Sequence, residues 1–243
     1  MLSAKERLIV ALDVNTMDEA ESLVERVQDQ VGIFKVGMQL FNSEGPKIIK
    51  KIHNLGGSIF LDLKLHDIPN TVGQAAAVLT RLNVLMFNVH TAGGSEMMKK
   101  AVEFTVKESG DSAISLPLII GVTVLTSINQ SILENEIGIN RSIEEQVVRW
   151  ALLAKESGLN GVVASPKEIQ AIRQACGQDF VIITPGVRPE WAATNDQKRV
   201  MTPREAVQAG ASYLVVGRPI TGAADPVEAA KRIVEEMEEG LKC

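Results

Sequence analysis

Eight short apolar runs, rich in β-branched residues, recur along the chain, and most segments between them have the spacing of apolar positions that is typical of helices. The runs cover residues 8–14, 32–38, 58–65, 85–91, 117–125, 161–165, 180–186 and 213–220. Strands that alternate with helices indicate a parallel sheet, and eight strands close a (β/α)8 barrel, or TIM barrel, of about 250 residues. We therefore predict a single α/β barrel domain over residues 1–243, with a doubly wound open sheet as the alternative.

Local signals place the ends of several helices. Thr16–Glu19 and Ser142–Glu145 both read as capping boxes, in which two side chains satisfy the free backbone N–H groups of a helix start. Gly158 is suited to follow the second of these helices. Pro203 and Pro226 suit the first turns of two later helices.

Charged residues interrupt the first three runs close to their carboxyl ends. Side chains alternate across a strand, and in residues 58–65 the isoleucine and the leucines share the face that would meet the helices. Asp62 and Lys64 should therefore point into the barrel. The same alternation points Asp13 and Lys35 inward from the first two strands, at the end where barrel enzymes carry their catalytic residues.

A salt-bridge network at the barrel rim is the alternative to a catalytic site for these charges. Buried ion pairs are weak sources of stability because desolvation offsets much of their attraction, so the pattern favours a site. Asp62 and Asp67 bracket Lys64, and opposite charges favour the protonated ammonium. A nucleophilic lysine must lose that proton, so Lys64 is better suited to donate a proton and to stabilise negative charge on carbon.

The last two runs are followed by residues suited to bind an anion. Barrels often hold a phosphate between the loops after strands seven and eight, and an arginine fork binds two phosphate oxygens at once. Gly217 and Arg218 end the eighth run, and Arg188 follows the seventh, so we predict a phosphate site, with a structural turn as the alternative. Residues 188–201 show no clear period and predict a long loop, which is either functional or a plain surface excursion.

Composition narrows the class of function. The net charge of −5 indicates no broad basic surface for nucleic acid. The two cysteines and three histidines show no metal-ligand spacing and no disulfide framework, so we predict no metal centre and a reducing compartment. The longest apolar run, at 116–125, is about half of a membrane span, and we expect a cytoplasmic protein without a membrane partner. His66 is interpreted as a structural or interface residue, with a catalytic base as the alternative, and His90 is interpreted as structural.

The motif D-x-K-x-x-D at 62–67 continues as I-P-N-T at 68–71. Together with A-L-D-V, F-K-V-G, V-T-V-L-T-S, T-P-G-V-R-P and V-V-G-R-P-I, in this order, it closely resembles the orotidine 5′-monophosphate decarboxylase family of the bacterial type, essentially from end to end. The resemblance implies removal of CO2 from orotidine 5′-monophosphate to give UMP, the last step of de novo pyrimidine nucleotide synthesis. It also implies that the reaction needs no metal and no organic cofactor.

By matching positions, the resemblance implies a catalytic set. Lys64 would donate the proton to C6 of the pyrimidine, and Asp62 would lie against the departing carboxylate. Lys35 would complete the charged array and contact the ribose. Asp67 would reach the active site of the partner subunit, which makes a homodimer the functional unit.

The resemblance also implies a set of contacts with the nucleotide substrate. These are Asp13 and Thr71 at the ribose, Thr126 at the pyrimidine, Arg188, Gly217 and Arg218 at the phosphate, and Gln197 between phosphate and base. The length of the 188–201 loop would suit a lid that closes over the substrate.

Two other functions stay open from the residues alone. Another lyase of the same barrel superfamily would use D-x-K-x-x-D with Mg2+ on a sugar phosphate, and would not need Thr126 or Gln197. A non-catalytic sensor of phosphorylated ligands could retain Arg218, but it would have no reason to retain Lys64 with both neighbouring aspartates.

Overall fold

Eight parallel strands form a closed barrel, in which each strand pairs with the next and the eighth pairs with the first. The computed structural model describes residues 2–192 and 201–242. The strands are β1 Leu8–Ala11, β2 Ile33–Gly37, β3 Ser58–Leu65, β4 Met86–His90, β5 Leu118–Val122, β6 Gly161–Val163, β7 Val181–Pro185 and β8 Tyr213–Val216. Each strand lies within one of the predicted runs, so the (β/α)8 barrel is confirmed and the open sheet is wrong.

Helices connect the strands and pack around the barrel. In the described residues the α-helices are α1 Ala4–Arg7, α2 Met17–Val27, α3 Met38–Glu44, α4 Lys47–Asn54, α5 Pro69–Arg81, α6 Gly94–Ser112, α7 Gln130–Asn135, α8 Ile143–Glu156, α9 Ile169–Cys176, α10 Pro203–Gln208, α11 Arg218–Thr221 and α12 Pro226–Leu241. Single turns of 3₁₀-helix lie at Thr91–Gly93 and Pro166–Glu168. Across the described ranges, none of these helices has the length and apolar character needed to span a membrane.

The predicted helix ends are confirmed. Thr16 and Ser142 each accept a hydrogen bond from the backbone N–H of the glutamate three residues later, and that glutamate accepts one from the cap residue's backbone. Gly158 lies two residues beyond the end of α8 with a φ of +88°, a left-handed conformation that glycine adopts readily. Pro203 and Pro226 are the first residues of α10 and α12.

Apolar side chains fill two separate layers. Buried residues inside the barrel are Ile9, Ala11, Ile33, Phe60, Met86, Ile120, Ile183, Tyr213 and Val215. A larger cluster lies between the barrel and the helices, and Leu8, Val10 and Leu12 belong to it, so neighbouring residues of β1 face opposite layers as alternation predicts. The inner layer ends where the inward charges begin, because Ala11 and Phe60 each lie two residues before a predicted site aspartate.

Strand β3 departs from a regular ladder near its carboxyl end. Leu61 pairs with Phe87 and Leu65 pairs with Val89, so β3 advances further than β4 over the same stretch. Lys64 lies in this stretch with a φ of +55°, in the left-handed region that non-glycine residues rarely adopt. A bulge therefore interrupts the simple alternation predicted for this run, because extra residues of one strand stay unpaired.

Arg173 forms hydrogen bonds that connect several segments at the end of the barrel opposite to the inward charges. The Arg173 guanidinium, on α9, donates to the backbone carbonyl of Gly210 at 2.7 and 2.8 Å, to that of Phe180, and to the Ser212 hydroxyl oxygen at 2.8 Å. Ser212 also accepts a hydrogen bond from the backbone N–H of Ile182 at 3.0 Å. Because β7 and β8 begin beside these residues, a single cation holds the amino ends of two strands.

We expect Arg173→Met to lower the free energy of unfolding by roughly 2–3 kcal/mol, because several half-buried oxygens lose their donor. Urea unfolding followed by circular dichroism measures the change. Arg26→Met, at an exposed position of α2, is the matched control and should shift stability by less than about 0.5 kcal/mol. Equal stabilities of the two variants would contradict this role for Arg173.

Candidate active site

Four charged side chains form a row at the carboxyl ends of the first three strands. Lys35 Nζ lies 3.1 Å from Asp13 Oδ1 and 3.4 Å from Asp62 Oδ2. Lys64 Nζ lies 2.7 Å from Asp62 Oδ1. The order is therefore Asp13, Lys35, Asp62 and Lys64, with negative and positive charges alternating. The structure brings together the four inward charges that the sequence predicts to meet, and we call them the charged row.

The register of the strands places the charged row. Ala11 pairs with Lys35, and Gly37 pairs with Asp62, so the charged residues of adjacent strands come to neighbouring levels of the barrel. Gly37 has no side chain that would crowd the charged row. A Cβ there would lie only 3.0 Å from Lys35 Nζ and 3.7 Å from Asp13 Oδ1. A larger residue at position 37 would displace the ammonium from its place between the two carboxylates.

Asp62 is the carboxylate of the row that pairs with both ammonium groups. Its side chain is 14% exposed, whereas that of Asp13, at the end of the row, is 62% exposed. Burial raises the pKa of Asp62, but the charges of Lys35 and Lys64, and hydrogen bonds from Lys64 and Asn88, outweigh burial and lower the pKa below its ordinary 3.8. The Asp62 carboxylate is therefore ionised at neutral pH.

Asn88, on β4, is a further member of this cluster that the sequence-based prediction omits. Its Nδ2 donates to Asp62 Oδ1 at 2.7 Å, and its Oδ1 accepts from the Lys64 backbone N–H at 2.7 Å. The residue is fully buried. Alternation along β4 is the signal that could have found it, because Met86 lies inside the barrel and Asn88 follows two residues later.

His66 and His90 lie side by side near the charged row, with ring centroids 5.2 Å apart. Burial lowers the pKa of His90, and the charges of His66 and Lys64 lower it further against the opposing effect of Asp62. A neutral His90 at pH 7 follows from this shift. Within residues 2–192 and 201–242, no group of three or more His, Cys, Asp or Glu side chains could hold a metal ion.

Asp67 and Thr71 lie beyond β3 and are exposed. Asp67 Oδ1 accepts a hydrogen bond from the backbone N–H of Ile68 at 2.6 Å, and Ile68 itself is 67% exposed. The ion-pair partner of Lys64 is Asp62, from its own strand. The 67–71 segment therefore faces solvent in the single chain instead of completing the charged row.

The loop after β7 carries part of the predicted phosphate site. Arg188 is half-buried, and its backbone N–H donates to the Met201 carbonyl at 3.1 Å, which joins the two ends of the loop. Trp191 packs against the outer apolar layer, and the Arg232 guanidinium of α12 lies 4.4 Å from its ring centroid. Gln197 lies outside the described residues. The beginning of the loop is thus fixed to the barrel and to α12.

The remaining predicted contacts lie on loops at the same end of the barrel. Gly217 directly follows β8, and a Cβ there would lie 3.8 Å from Asp13 Oδ2, so this turn adjoins the charged row. Arg218 is exposed at the start of α11. Thr126 is exposed in a turn after β5. The structure therefore places the three residues around the mouth, on the loops that follow two different strands.

Comparison with known proteins gives full-length matches. Residues 6–233 match the model of the orotidine 5′-phosphate decarboxylase / HUMPS family. The chain is 58% identical over 240 residues to orotidine 5′-phosphate decarboxylase from Heliobacterium modesticaldum, covering 99% of each chain. It is 57% identical to the enzyme of that name from Syntrophomonas wolfei, covering 98% of this chain and 100% of the relative. The crystal structure of orotidine 5′-phosphate decarboxylase from Lactobacillus acidophilus superposes with a TM-score of 0.85 at 39% identity, covering 95% of this chain and 98% of that one.

We expect Asp62→Asn to lower the free energy of unfolding by roughly 2 kcal/mol near neutral pH, since two ammonium groups lose a shared carboxylate. Because the pKa of Asp62 is lowered by folding, its stabilising effect is present above the unfolded value of 3.8 and is lost as pH falls through the folded value. The difference between wild type and variant should therefore shrink below about pH 4.

Urea unfolding at neutral pH and at about pH 3.5 measures this difference. Asp29→Asn, in an exposed turn, is the control and should leave stability unchanged at both values. A difference between wild type and Asp62→Asn that did not vary with pH would contradict the assignment of the stabilisation to the Asp62 carboxylate.

Proposed function

The chain belongs to the orotidine 5′-phosphate decarboxylase / HUMPS family, and on that premise we propose that it converts orotidine 5′-monophosphate to UMP and CO2 in the last step of pyrimidine nucleotide synthesis. Relatives that are 57–58% identical over nearly the whole chain bear the name of this enzyme. The observation that carries the proposal is the charged row at the barrel mouth, which ends on Lys64.

Lys64 supplies the central step of the proposed mechanism. Loss of CO2 from C6 of the pyrimidine leaves a carbanion with no attached electron sink. A protein lowers such a barrier only through interactions that are stronger in the transition state than in the bound substrate, and a fixed ammonium beside the developing charge is one of these. Asp62 holds the Lys64 ammonium at 2.7 Å, and after CO2 departs this ammonium donates a proton to C6. The step requires neither a metal nor an organic cofactor.

Asp62 has two functions in this proposal. It positions Lys64, and its ionised carboxylate faces the substrate carboxylate, so that their repulsion is relieved when CO2 leaves. Lys35 keeps Asp62 ionised through its 3.4 Å ion pair and connects the row to Asp13. Lys35 and Asp13 then contact the ribose at the outer end of the row.

The phosphate of the substrate binds at a distance from the reacting carbon. Arg188, Arg218 and the turn at Gly217 contact the phosphate, and Thr126 contacts the pyrimidine. Gln197 bridges the phosphate and the base from the loop after β7. Binding energy from this nonreacting group holds the site closed and raises the rate of the chemical step. The close approach of Gly217 to Asp13 supports a continuous nucleotide site from phosphate to ribose.

A homodimer in the cytoplasm is the proposed functional unit. Asp67 and Thr71 are exposed in the single chain, and among the described residues Asp67 makes no ion pair with the charged row, which supports a contribution of Asp67 to the site of a partner subunit. The exposed side chain of Ile68 between them would become buried in such a contact. The free thiol of Cys176 agrees with a reducing compartment.

The purified protein should consume orotidine 5′-monophosphate in an absorbance assay, at a rate that excess EDTA leaves unchanged. The reason is that the charged row, and not a metal ion, stabilises the carbanion. Lys64→Ala should lower turnover by more than about 10³-fold while UMP still binds, because the phosphate and ribose contacts remain. Activity lost with EDTA and restored by Mg2+ would favour a metal-dependent lyase instead. Tight nucleotide binding without turnover would favour a sensor.

Mixing Lys64→Ala with Asp67→Ala should restore activity, although each variant alone is inactive. A mixed dimer has one site with an intact Lys64 and a partner that supplies an intact Asp67, so full exchange of equal amounts gives about a quarter of wild-type activity. Differently tagged subunits, separated after mixing, measure the fraction of mixed dimers.

The matched control mixes Lys64→Ala with Asp62→Ala. Both residues belong to the same strand and to the same site, so no mixed dimer contains a complete site and no activity should return. Recovery in the control, or its absence with Asp67→Ala despite confirmed exchange, would contradict a site shared between subunits.

A further inference from the structure

We infer that Asn88 is a positioning residue, whose side-chain amide holds both the backbone of Lys64 and the carboxylate of Asp62 in the geometry needed for proton delivery. The inference rests on the proposed function, because it assigns a further residue to the same site. Asn88 is fully buried, so it acts through its two neighbours and not by touching the substrate.

The first step concerns the backbone of Lys64. Between the Leu61–Phe87 and Leu65–Val89 pairs, β3 leaves the regular ladder, and Lys64 adopts a left-handed conformation. A backbone N–H that lies away from water needs a partner. The Lys64 N–H finds it in the Oδ1 of Asn88, at 2.7 Å. This side chain thus replaces a ladder bond at the bulge and stabilises a conformation that lysine rarely adopts.

The second step concerns the carboxylate of Asp62. The Nδ2 of Asn88 donates to Asp62 Oδ1 at 2.7 Å, and the same oxygen accepts from Lys64 Nζ at 2.7 Å. One planar amide therefore connects the backbone of the lysine with the carboxylate that holds its ammonium. A displacement of Asn88 would therefore shift both the backbone of Lys64 and the Asp62 carboxylate that holds the Lys64 ammonium.

The third step concerns the choice of residue. The backbone N–H can only donate and the ionised carboxylate can only accept, so the partner must offer one acceptor and one donor at this spacing. Aspartate lacks the donor, and leucine of similar shape lacks both groups. β4 keeps the amide in place, because Asn88 is flanked by Phe87 and Val89 of the outer apolar layer and pairs with Ile120 of β5.

Two variants test the inference. Asn88→Leu removes both hydrogen bonds and should lower kcat by about 10²-fold through misplacement of Lys64, while the Kd for UMP changes by less than about threefold. Asn88→Asp places a second carboxylate against Asp62 and should lower kcat similarly near neutral pH. Protonation of the introduced carboxyl restores both an acceptor and a donor, so its kcat relative to wild type should rise as pH falls.

That rise with falling pH separates positioning from a merely structural role. The charged or titratable groups around the introduced carboxyl are Asp62 and Lys64 on β3, Lys35 on β2 and His90 on β4. Burial and the Asp62 charge favour its protonated form, while the lysines oppose it. A kcat ratio of Asn88→Asp to wild type that did not change with pH would overturn the inference, as would a wild-type kcat in Asn88→Leu.

Asn160→Leu is the control for the loss of a side-chain hydrogen bond to the backbone, at a more exposed position than Asn88. Asn160 Oδ1 also accepts a backbone N–H, that of Ile119 at 2.8 Å, but at the opposite end of the barrel. This variant should lower the melting temperature without lowering kcat. Should the Asn88 variants fail to fold, hydrogen exchange in the wild-type protein decides the matter. The Lys64 amide proton should be strongly protected although it lies outside the ladder, and exchange as rapid as that of an exposed amide would overturn the inference.

Discussion

The Asp62 carboxylate, shared by two ammonium groups, is the interaction around which the mouth of this barrel is arranged. A carboxylate this far from solvent is costly unless it is paired and hydrogen-bonded on both oxygens. Lys35 meets one oxygen, and Lys64 and Asn88 meet the other. Three adjacent strands must therefore end at matching levels, which a closed parallel barrel provides because the carboxyl ends of all its strands surround one mouth.

The two ends of the barrel differ in the interactions that they contain. The inner apolar layer stops below the charged row, and the outer layer holds the helices against the strands. Arg173 holds the beginnings of β7 and β8 together at the far end, away from the charged row. The desolvated charges of the row are weak sources of stability, whereas the opposite end and the two apolar layers supply hydrogen bonds and packing.

Period-2 alternation and strand count were sufficient to predict the barrel and to bring Asp13, Lys35, Asp62 and Lys64 together. They could not predict the β3 bulge, because a bulge depends on the pairing of two strands that are distant in sequence. Alternation along β4 could have pointed Asn88 inward, but for the same reason it could not show the contacts of Asn88 with Asp62 and Lys64. The short helices α1, α7 and α11 span too few residues to show a helical period. The roles proposed for Asp67 and Gln197 came only from the motif resemblance, since the one proposed for Asp67 involves a second subunit and Gln197 lies outside the described residues.

Lys64 has a left-handed backbone conformation that is unfavourable for lysine, at a position where the proposed mechanism requires an ammonium group. A glycine there would adopt the same φ of +55° without steric strain, but it would carry no ammonium. Glycine would also leave Asp62 with one ammonium fewer, so selection for stability alone would have to replace the lysine and its carboxylate partner together. Stability-guided redesign of this chain would for that reason tend to remove the pair, and with it the groups that the proposed mechanism requires.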